Sequence, residues 1–307
     1  MSSIERISVI GVGAMGAFYA SRFYEMDSHS ISVVAGGERY DRLKERGLIV
    51  NNTHYSLPVV RPDDRIPPSD LIIVTVKNHH LGEAIQDLEN RVGKNTVIFS
   101  VMNGIDSEEQ IGAVYGMDRV LYAVAVGIDA VVRGNHMTYT TQGKLFFGEA
   151  RNSELTERVR KLQSLLDRAG ILYETPDDMI RVLWWKFMIN VGINQVSAVL
   201  GAPYGVFQRS QKTRDLMESA MREVMAIAKT AGVNLFEKDI EDWYAFLSRL
   251  SPDGKTSMVQ DVEARRKTEV EMFAGKVIEL GNRYGIETPV NETLFRFIKA
   301  IEQEYLS

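Results

Sequence analysis

The stretch Gly11-Val12-Gly13-Ala14-Met15-Gly16 follows the short run Arg6-Ile7-Ser8-Val9-Ile10 and opens a helical stretch rich in Ala, Phe and Tyr. Between a strand and a helix, glycines at this spacing are typical of a turn that binds the pyrophosphate of a dinucleotide. The first glycine permits the tight turn, the second lets the backbone approach the phosphates, and the third lets the helix lie close to its strand. The residues predicted to contact a nicotinamide or flavin nucleotide are therefore Gly11, Gly13, Ala14, Met15 and Gly16.

Length and composition exclude several classes of function. The chain has 307 residues, which is long for one hydrophobic core and sufficient for two domains. A formal net charge of −5 gives no field that would attract nucleic acid or an anionic membrane. The chain has no cysteine, which excludes disulfides, thiolate metal sites and cysteine nucleophiles. Without an export signal or an apolar run long enough to span a bilayer, the sequence predicts a soluble cytoplasmic protein.

The first half of the chain alternates apolar runs with helical patterns. Strands are predicted over residues 7–10, 31–35, 71–76, 97–101 and 120–128. Because several of these runs are too apolar to face water, they favour a parallel sheet that is covered on both faces. Residues 134–148 are predicted to form strands that close the sheet, with turns at Gly127 and Gly134, and a helix is predicted from residue 153 to about Gly170.

Helical patterns dominate beyond Pro176, where we place the domain boundary. Helices are predicted over residues 180–200, 212–231, 238–250, 259–284 and 291–304. The predicted fold is therefore an α/β Rossmann-type nucleotide-binding domain over residues 1–176, followed by an all-α domain over residues 177–307. By analogy, such a helical domain supplies the substrate groove and often a homodimer contact.

A polar stripe interrupts the apolar helix predicted over residues 180–200. Lys186, Asn190 and Asn194 are spaced i, i+4, i+8, so they share one edge of the helix. Buried polar groups need partners, so these three residues are predicted to face a ligand. The alternatives are a solvated helix edge, or amides that tie helices together.

Four more polar residues have both a functional and an ordinary interpretation. Glu269 follows Arg265 and Arg266 at helical spacing, which by itself indicates an exposed ion pair. Ser257 precedes the same predicted helix and by itself indicates a helix cap. Lys77 and Asn103 each follow a predicted strand, at the sheet edge where open α/β folds bind ligands, although a surface charge and a bare turn are the ordinary alternatives.

Taken together and in this order, these residues resemble those of the ketopantoate reductases, or 2-dehydropantoate 2-reductases. The resemblance runs from Ile7 to about Pro289 and includes Trp184-Trp185-Lys186 and the run Thr256-Ser257-Met258-Val259-Gln260-Asp261. It implies an enzyme that reduces the ketone of 2-dehydropantoate with NADPH, in a cleft between a Rossmann domain and a helical domain.

The resemblance also implies a role for each residue. Lys186 would be the catalytic lysine, and Glu269 would orient its ammonium or bind the substrate hydroxyl. The substrate would contact Asn103, Asn190, Asn194 and Ser257. Lys77 and Asn103 would lie near the ribose and nicotinamide of the cofactor. The chemistry agrees with this distribution, because a positioned ammonium can stabilise the charge that hydride transfer builds on a ketone oxygen and then donate the proton.

The chain departs from the family's pattern at two places. Many members have an arginine directly after the second strand that binds the 2′-phosphate of NADPH, whereas this chain has Ala35-Gly36-Gly37-Glu38-Arg39. Arg39 in a shifted position favours NADPH, while Glu38 bound to a ribose 2′-hydroxyl would favour NADH. The second departure is Pro203-Tyr204-Gly205, where members often have an asparagine before the glycine. Tyr204 therefore bears on the identity of the substrate.

Three alternatives remain open from the sequence. The same scaffold can reduce another branched or aromatic 2-keto acid, as a D-2-hydroxy acid dehydrogenase. A non-catalytic NADPH sensor is the second alternative, although a sensor has no chemical need for Lys186 and Glu269. A flavin enzyme has no support beyond the glycine turn. No metal is expected, because His54, His79, His80 and His136 lack the spacing of metal ligands.

Overall fold

The computed structural model describes residues 4–306, and the chain divides into two compact units, Met1–Val182 and Leu183–Ser307. The division falls inside a helix. The domain boundary near Pro176, which stays a prediction, falls in the segment before that helix.

Among residues 4–306, every strand lies in the first unit, together with five α-helices that lie wholly within it. The strands are β1 (Ile7–Ile10), β2 (Ile31–Val34), β3 (Leu48–Val50), β4 (Thr53–Tyr55), β5 (Val59–Val60), β6 (Ser69–Val74), β7 (Val92–Ser100), β8 (Val120–Ile128), β9 (Val131–Arg133), β10 (His136–Thr138), β11 (Gln142–Gly148) and β12 (Tyr173–Glu174). The helices are α1 (Ala14–Met26), α2 (Gly37–Arg46), α3 (Leu81–Asp87), α4 (Ser107–Tyr115) and α5 (Glu157–Ala169).

Eight of these strands form the main sheet, in the order β12-β11-β8-β7-β6-β1-β2-β5. From β5 to β8 every neighbouring pair is parallel, with Ile7 opposite both Ile31 and Leu71, whereas β11 runs antiparallel to β8. The predicted parallel α/β sheet is confirmed. Because β1, β6 and β7 are parallel neighbours, the chain leaves all three at the same edge of the sheet.

Alternation along the buried strands sends side chains into separate apolar layers. Val9 and Ile73 belong to one hydrophobic cluster with Phe18 of α1, whereas Ile10 and Ile72 belong to another cluster. Successive side chains of a strand point to opposite faces, so continuous apolar strands supply a core on each side. The strand β1 that leads into the predicted nucleotide turn is thus packed into both apolar clusters.

A second, four-stranded sheet in the order β4-β3-β10-β9 was not predicted. Of the strands expected to close the main sheet, only β11 joins it next to β8, and β9 and β10 belong to the small sheet. Gly134 does form a turn with a φ of +66°, but Gly127 lies inside β8 with a φ of +82°. The turn predicted at Gly127 is therefore wrong, because an isolated glycine signals an irregular strand as readily as a turn.

The second unit is helical, as predicted for the end of the chain. Its helices, the first of which begins before Leu183, are α6 (Met179–Leu200), α7 (Tyr204–Arg209), α8 (Gln211–Thr230), α9 (Glu237–Leu247), α10 (Ser257–Glu263), α11 (Lys276–Tyr284) and α12 (Pro289–Leu306). Across the part of the chain that the structure describes, none of the helices combines the length and the apolar character needed to cross a membrane.

The single helix predicted over residues 259–284 is wrong. Helix α10 ends at Glu263, Arg265 adopts a φ of +52°, and a π-helical turn over Glu271–Gly275 precedes α11. No glycine or proline between residues 259 and 274 marks this interruption. The short helix α7 was also not predicted.

Candidate active site

The glycine turn forms between β1 and α1 with the geometry that its sequence predicts. Gly11 has a φ of +90°, and a Cβ there would lie 2.7 Å from Val76 Cγ1. A Cβ on Gly16 would lie 1.9 Å from the carbonyl oxygen of Gly11. Gly11 therefore makes the turn, and Gly16 lets the first turn of α1 lie directly against it.

The space around Gly13 is different. A Cβ at Gly13 would meet nothing within 4 Å, and Gly13 is the N-cap residue of α1, with no side chain to accept hydrogen bonds from the first turn. Ala14 and Met15 follow as the first residues of the helix, and both are half-buried. The open space and the N–H groups of this helix start suit a bound phosphate.

Thr75, which sequence reasoning missed, locks the turn from the neighbouring strand. Its hydroxyl is the donor to two carbonyl oxygens that share its one proton, those of Ile10, at 3.0 Å, and of Gly11. A Cβ on Gly16 would also lie 2.5 Å from Thr75 Oγ1. A hydroxyl at the end of the apolar run of β6 was the available sequence signal, because such a group needs a partner.

Lys77 and Asn103 lie in the loops that leave β6 and β7. Lys77 is half-buried and precedes a short 3₁₀ turn over Asn78–His80. Asn103 is half-buried in an irregular segment, next to Gly104 with a φ of +95°. Since β6 adjoins β1 and β7 adjoins β6, both loops leave the same edge of the sheet as the glycine turn. The structure thus brings these predicted residues to one edge.

The segment after β2 presents two arginines. Arg39 lies exposed on α2. Its charge reaches Asp87 at the end of α3: burial and the charge of Glu83 raise the pKa of Asp87, whereas the charge of Arg39 acts to lower it. Arg42, which sequence reasoning missed, lines a small cavity of about 50 Å³ together with Val12, Gly13 and His136. The missed signal was helical spacing, since Arg42 follows Arg39 by three residues.

Lys186 lies on α6 among apolar side chains. It keeps part of its surface accessible, and its neighbours Trp184 and Phe187 are buried. Burial around the ammonium lowers the pKa of Lys186 to about 8, and burial alone causes this shift. A lysine with such a pKa can both hold and release a proton near neutral pH.

The amides predicted to share an edge with Lys186 are hydrogen-bonded in a chain. Asn194 Nδ2 donates to Asn190 Oδ1 at 3.2 Å, and both residues are 5% exposed. Asn194 Oδ1 in turn accepts hydrogen bonds from Ser257 Oγ, at 3.1 Å, and from the Met258 N–H, at 3.4 Å. Asn194 thus ties α6 to the start of α10, as the alternative of amides that join helices predicts.

Ser257 is not the cap of α10. Thr256 takes that position, because its hydroxyl accepts a hydrogen bond from the Val259 N–H at 3.3 Å. Ser257 is the first residue of the helix and is exposed. Having donated its proton to Asn194, its hydroxyl retains lone pairs that can accept a hydrogen bond from a ligand hydroxyl.

Glu269 does not lie on the exposed surface of a helix, where its spacing from Arg265 and Arg266 would place it. It is 7% exposed and lies in the non-helical segment between α10 and the π-helical turn, where its carbonyl oxygen accepts hydrogen bonds from the Met272 and Phe273 N–H groups. Arg266 instead binds Asp261, at 3.0 Å. The expectation of helical spacing is wrong here because the predicted helix is interrupted.

Tyr204 begins α7 and packs on the loop that leads to Ser257. Its N–H donates to the carbonyl oxygen of Gly254 at 2.9 Å, and the Gly205 N–H donates to that of Pro252 at 2.8 Å. A Cβ on Gly254 would lie 3.0 Å from Tyr204 Cδ2. Burial raises the pKa of the Tyr204 phenol. An aromatic ring therefore lies against the loop that carries Ser257.

Within residues 4–306, no group of three or more histidines and carboxylates is arranged to hold a metal ion. His79 and His80 have ring centroids 4.3 Å apart.

The comparisons with known proteins cover both units. Residues 7–152 match the family model described as ketopantoate reductase PanE/ApbA, and residues 178–302 match the model of its C-terminal part. A curated 2-dehydropantoate 2-reductase of Aquifex aeolicus is 26% identical over 97% of each chain.

Two solved structures show the same fold. One is a 2-dehydropantoate 2-reductase from Geobacter metallireducens, with a TM-score of 0.85 and 25% identity over 96% of this chain and 99% of the other. The other is a D-mandelate dehydrogenase with NADH and anilino(oxo)acetate, with a TM-score of 0.89 and 20% identity over 98% of this chain and 100% of the other. The resemblance predicted from the motifs is confirmed: the chain belongs to the ketopantoate reductase family, as an oxidoreductase that uses a nicotinamide dinucleotide.

Proposed function

We propose that the protein reduces the ketone of 2-dehydropantoate to the alcohol of pantoate, a step in pantothenate and coenzyme A biosynthesis, with NADPH as the reductant and Lys186 as the acid. The observation that carries this proposal is a lysine whose ammonium is buried enough to lower its pKa to about 8, on one helix edge with Asn190 and Asn194. Family membership supports the class of reaction, the reduction of a 2-keto acid.

The residues of the glycine turn suit the cofactor. Gly11, Gly13, Ala14, Met15 and Gly16 would hold its pyrophosphate, since the space beside Gly13 is open and the start of α1 has no capping side chain. Lys77 and Asn103 would bind toward the ribose and nicotinamide. Arg39 or Arg42 would bind a 2′-phosphate, which favours NADPH, while Glu38 in the first turn of α2 keeps NADH as the alternative.

The protein's own groups would stabilise the developing charge and supply the proton. When bound, the nicotinamide supplies a hydride to the ketone carbon. The Lys186 ammonium would stabilise the negative charge on the ketone oxygen and donate its Nζ proton to that oxygen. Ser257 Oγ would accept a hydrogen bond from a substrate hydroxyl, and Glu269 would orient the ammonium or the substrate.

Substitution of Lys186 tests this role. Lys186→Ala removes the proton donor, so kcat should fall by about 10²- to 10⁴-fold while the nucleotide Kd changes little. Lys186→Arg keeps the charge but cannot release a proton, so kcat should also fall. The readouts are steady-state kinetics and calorimetric titration with NADPH, and Lys229→Ala on the exposed side of α8 is the control. Unchanged turnover in Lys186→Ala would reject the assigned role and favour a nucleotide sensor.

Tyr204 favours a second candidate, the reduction of an aromatic or branched 2-keto acid as a D-2-hydroxy acid dehydrogenase. Its ring lies against Gly254 in the loop before Ser257 and offers an apolar surface to a substrate side chain. kcat/KM values for a panel of 2-keto acids separate the candidates. Much lower efficiency with 2-dehydropantoate than with an aromatic acid would reverse their order.

A cytoplasmic location and a homodimer are further proposals. The first rests on the complete absence of cysteine from the sequence and the second on analogy with helical domains of this kind. Sedimentation of the purified protein tests the dimer.

A further inference from the structure

Two charged residues of α12 hold the chain on both sides of Glu269. Glu269 lies in a segment that no helical hydrogen-bond ladder holds on its N-terminal side. Its preceding neighbour, Thr268, is 1% exposed, and Glu271, two residues later, begins the π-helical turn. The placement of the Glu269 backbone, from which the carboxylate extends, therefore depends on what anchors these flanking residues.

Glu302 anchors the first flank. Its Oε1 accepts hydrogen bonds from both the N–H and the hydroxyl of Thr268, each at 2.7 Å. The same hydroxyl is 3.3 Å from the Val270 N–H, which donates to it across Glu269. Glu302 is only 2% exposed, so a buried carboxylate holds the backbone before Glu269 directly and the backbone after it through the Thr268 hydroxyl.

Lys299 anchors the second flank. Its ammonium lies 2.9 Å from Glu302 Oε2 and 2.8 Å from Glu271 Oε1, so one cation joins the buried carboxylate to the start of the π-helical turn. Burial acts to raise the pKa of Glu302, but the hydrogen bonds from Lys299 and Thr268 hold it below its usual value. The carboxylate is thus ionised and paired at neutral pH.

A purely structural role would not require these charges. Burying a carboxylate is unfavourable before it is paired, and well-packed apolar side chains often hold two segments together at least as firmly. What a fully hydrogen-bonded ionic contact adds is a fixed geometry, because each oxygen must meet its own donors. A fixed geometry is most useful next to a side chain that must be held in one position, and Glu269 lies next to Thr268.

We propose that Glu302 and Lys299 are positioning residues that set the Glu269 carboxylate in its working place through Thr268 and Glu271. This inference rests on the role proposed for Glu269 in the reduction. Neither α12 residue need touch the substrate or the cofactor for this role. Their effect should therefore appear in kcat rather than in nucleotide binding, and it should require Glu269.

A double-mutant cycle tests the proposal. Glu302→Gln keeps an oxygen for Thr268 but places an uncharged group beside Lys299, so kcat should fall about tenfold while the KM for NADPH stays within about twofold. Glu269→Gln should lower kcat further. If Glu302 acts through Glu269, the double variant should be no slower than Glu269→Gln alone. If Glu302→Gln lowers kcat by the same factor in Glu269→Gln as in the unaltered protein, the proposal is overturned.

Two further comparisons guard against a change that is only structural. Glu292→Gln removes an exposed ion pair with Arg296 on the same helix, 3.4 Å long, and should leave kcat unchanged. If Glu302→Gln does not fold, Thr268→Val and Thr268→Ser take its place in the test. Thr268→Val should have a lower kcat than the unaltered protein, and Thr268→Ser, which keeps the hydroxyl, should have nearly the unaltered kcat. Equal kcat values for these two variants would contradict the proposal.

Failure of the proposed function would look different. If the unaltered protein reduces no 2-keto acid, the reduction is excluded, and amide hydrogen exchange then decides on the α12 contacts alone. Faster exchange at residues 268–273 in Glu302→Gln than in Glu292→Gln would support the anchoring. Identical exchange in the two variants would refute it.

Discussion

At the scale of single residues, the surroundings of Lys186 decide its chemistry. A lysine in water keeps its proton far above neutral pH and is a poor acid there. Among the apolar side chains of α6, desolvation disfavours the charged form and lowers the pKa of Lys186 to about 8. The ammonium is therefore mostly protonated at pH 7 yet close to the pKa at which proton transfer is efficient.

The pH dependence of ketone reduction follows from this pKa. The acid must be protonated, so kcat should be highest below about pH 8 and should fall as the pH rises through that value. Glu302→Gln, in which Lys186 is intact, should retain the same inflection. Measuring kcat in the direction of reduction between about pH 6 and 10 checks this, and a constant kcat over that range would contradict the assignment of Lys186 as the acid.

Some residue-level features were predictable from the sequence and others were not. Helical spacing placed Asn190 and Asn194 on one edge, and their side chains are indeed hydrogen-bonded. Thr75 and Glu302 were missed because their partners, Gly11 and Thr268, are far away along the chain. No local pattern encodes such contacts. The catalytic and binding roles themselves stay predictions.

At the scale of elements, local patterns predicted structure where local forces decide it. The bounds of β1 and β8 agree with their apolar runs. The helix over residues 259–284 was wrong because its interruption depends on distant groups, including the hydrogen bonds from Thr268 to Glu302. A helical pattern alone cannot show that a carboxylate on α12 competes for that backbone.

Two glycines of the nucleotide turn, Gly13 and Gly16, should respond differently to an added methyl group. Gly16→Ala would bring Cβ to 1.9 Å from the Gly11 carbonyl oxygen, so the backbone must shift, and the free energy of unfolding should fall by about 1–3 kcal/mol. Gly13→Ala meets nothing in the protein, so it should leave stability nearly unchanged and weaken nucleotide binding instead.

Urea unfolding and calorimetric titration with NADPH measure the two effects. Gly82→Ala on α3 is the control, since its Cβ also meets nothing within 4 Å and alanine favours helix by about 1 kcal/mol. If Gly13→Ala binds NADPH as tightly as the unaltered protein does, the phosphates do not approach this glycine.

At the scale of the whole molecule, the order of elements was the most predictable property. A glycine turn between a strand and a helix, followed by alternating strands and helices, was enough to predict the Rossmann-type sheet. The small sheet formed by β3, β4, β9 and β10 was not predictable, because its strands are two or three pairs long and come from separate parts of the chain.

Thermal unfolding of the whole chain should distinguish the nucleotides. A ligand that binds only the folded state raises Tm, and a concentration of about 100 times Kd adds about 2.7 kcal/mol. NADPH should therefore raise Tm by more than NADH at equal concentration, and FAD should not raise it. Arg39→Ala and Arg42→Ala, tested separately, show which guanidinium is responsible for the difference. A larger shift with NADH would assign the ribose hydroxyl to Glu38.

The central place of β1 in its sheet has a consequence for biosynthesis. Of the strands in this sheet, β1 is translated first. Its neighbour β6 is translated later, and so is β12 at Tyr173–Glu174, which lies at one end of the sheet. Parallel pairing needs long crossovers and is slow. The nascent chain must therefore keep the apolar side chains of β1 soluble until β6 has been translated, which makes this early interval the one in which chaperone binding would matter most.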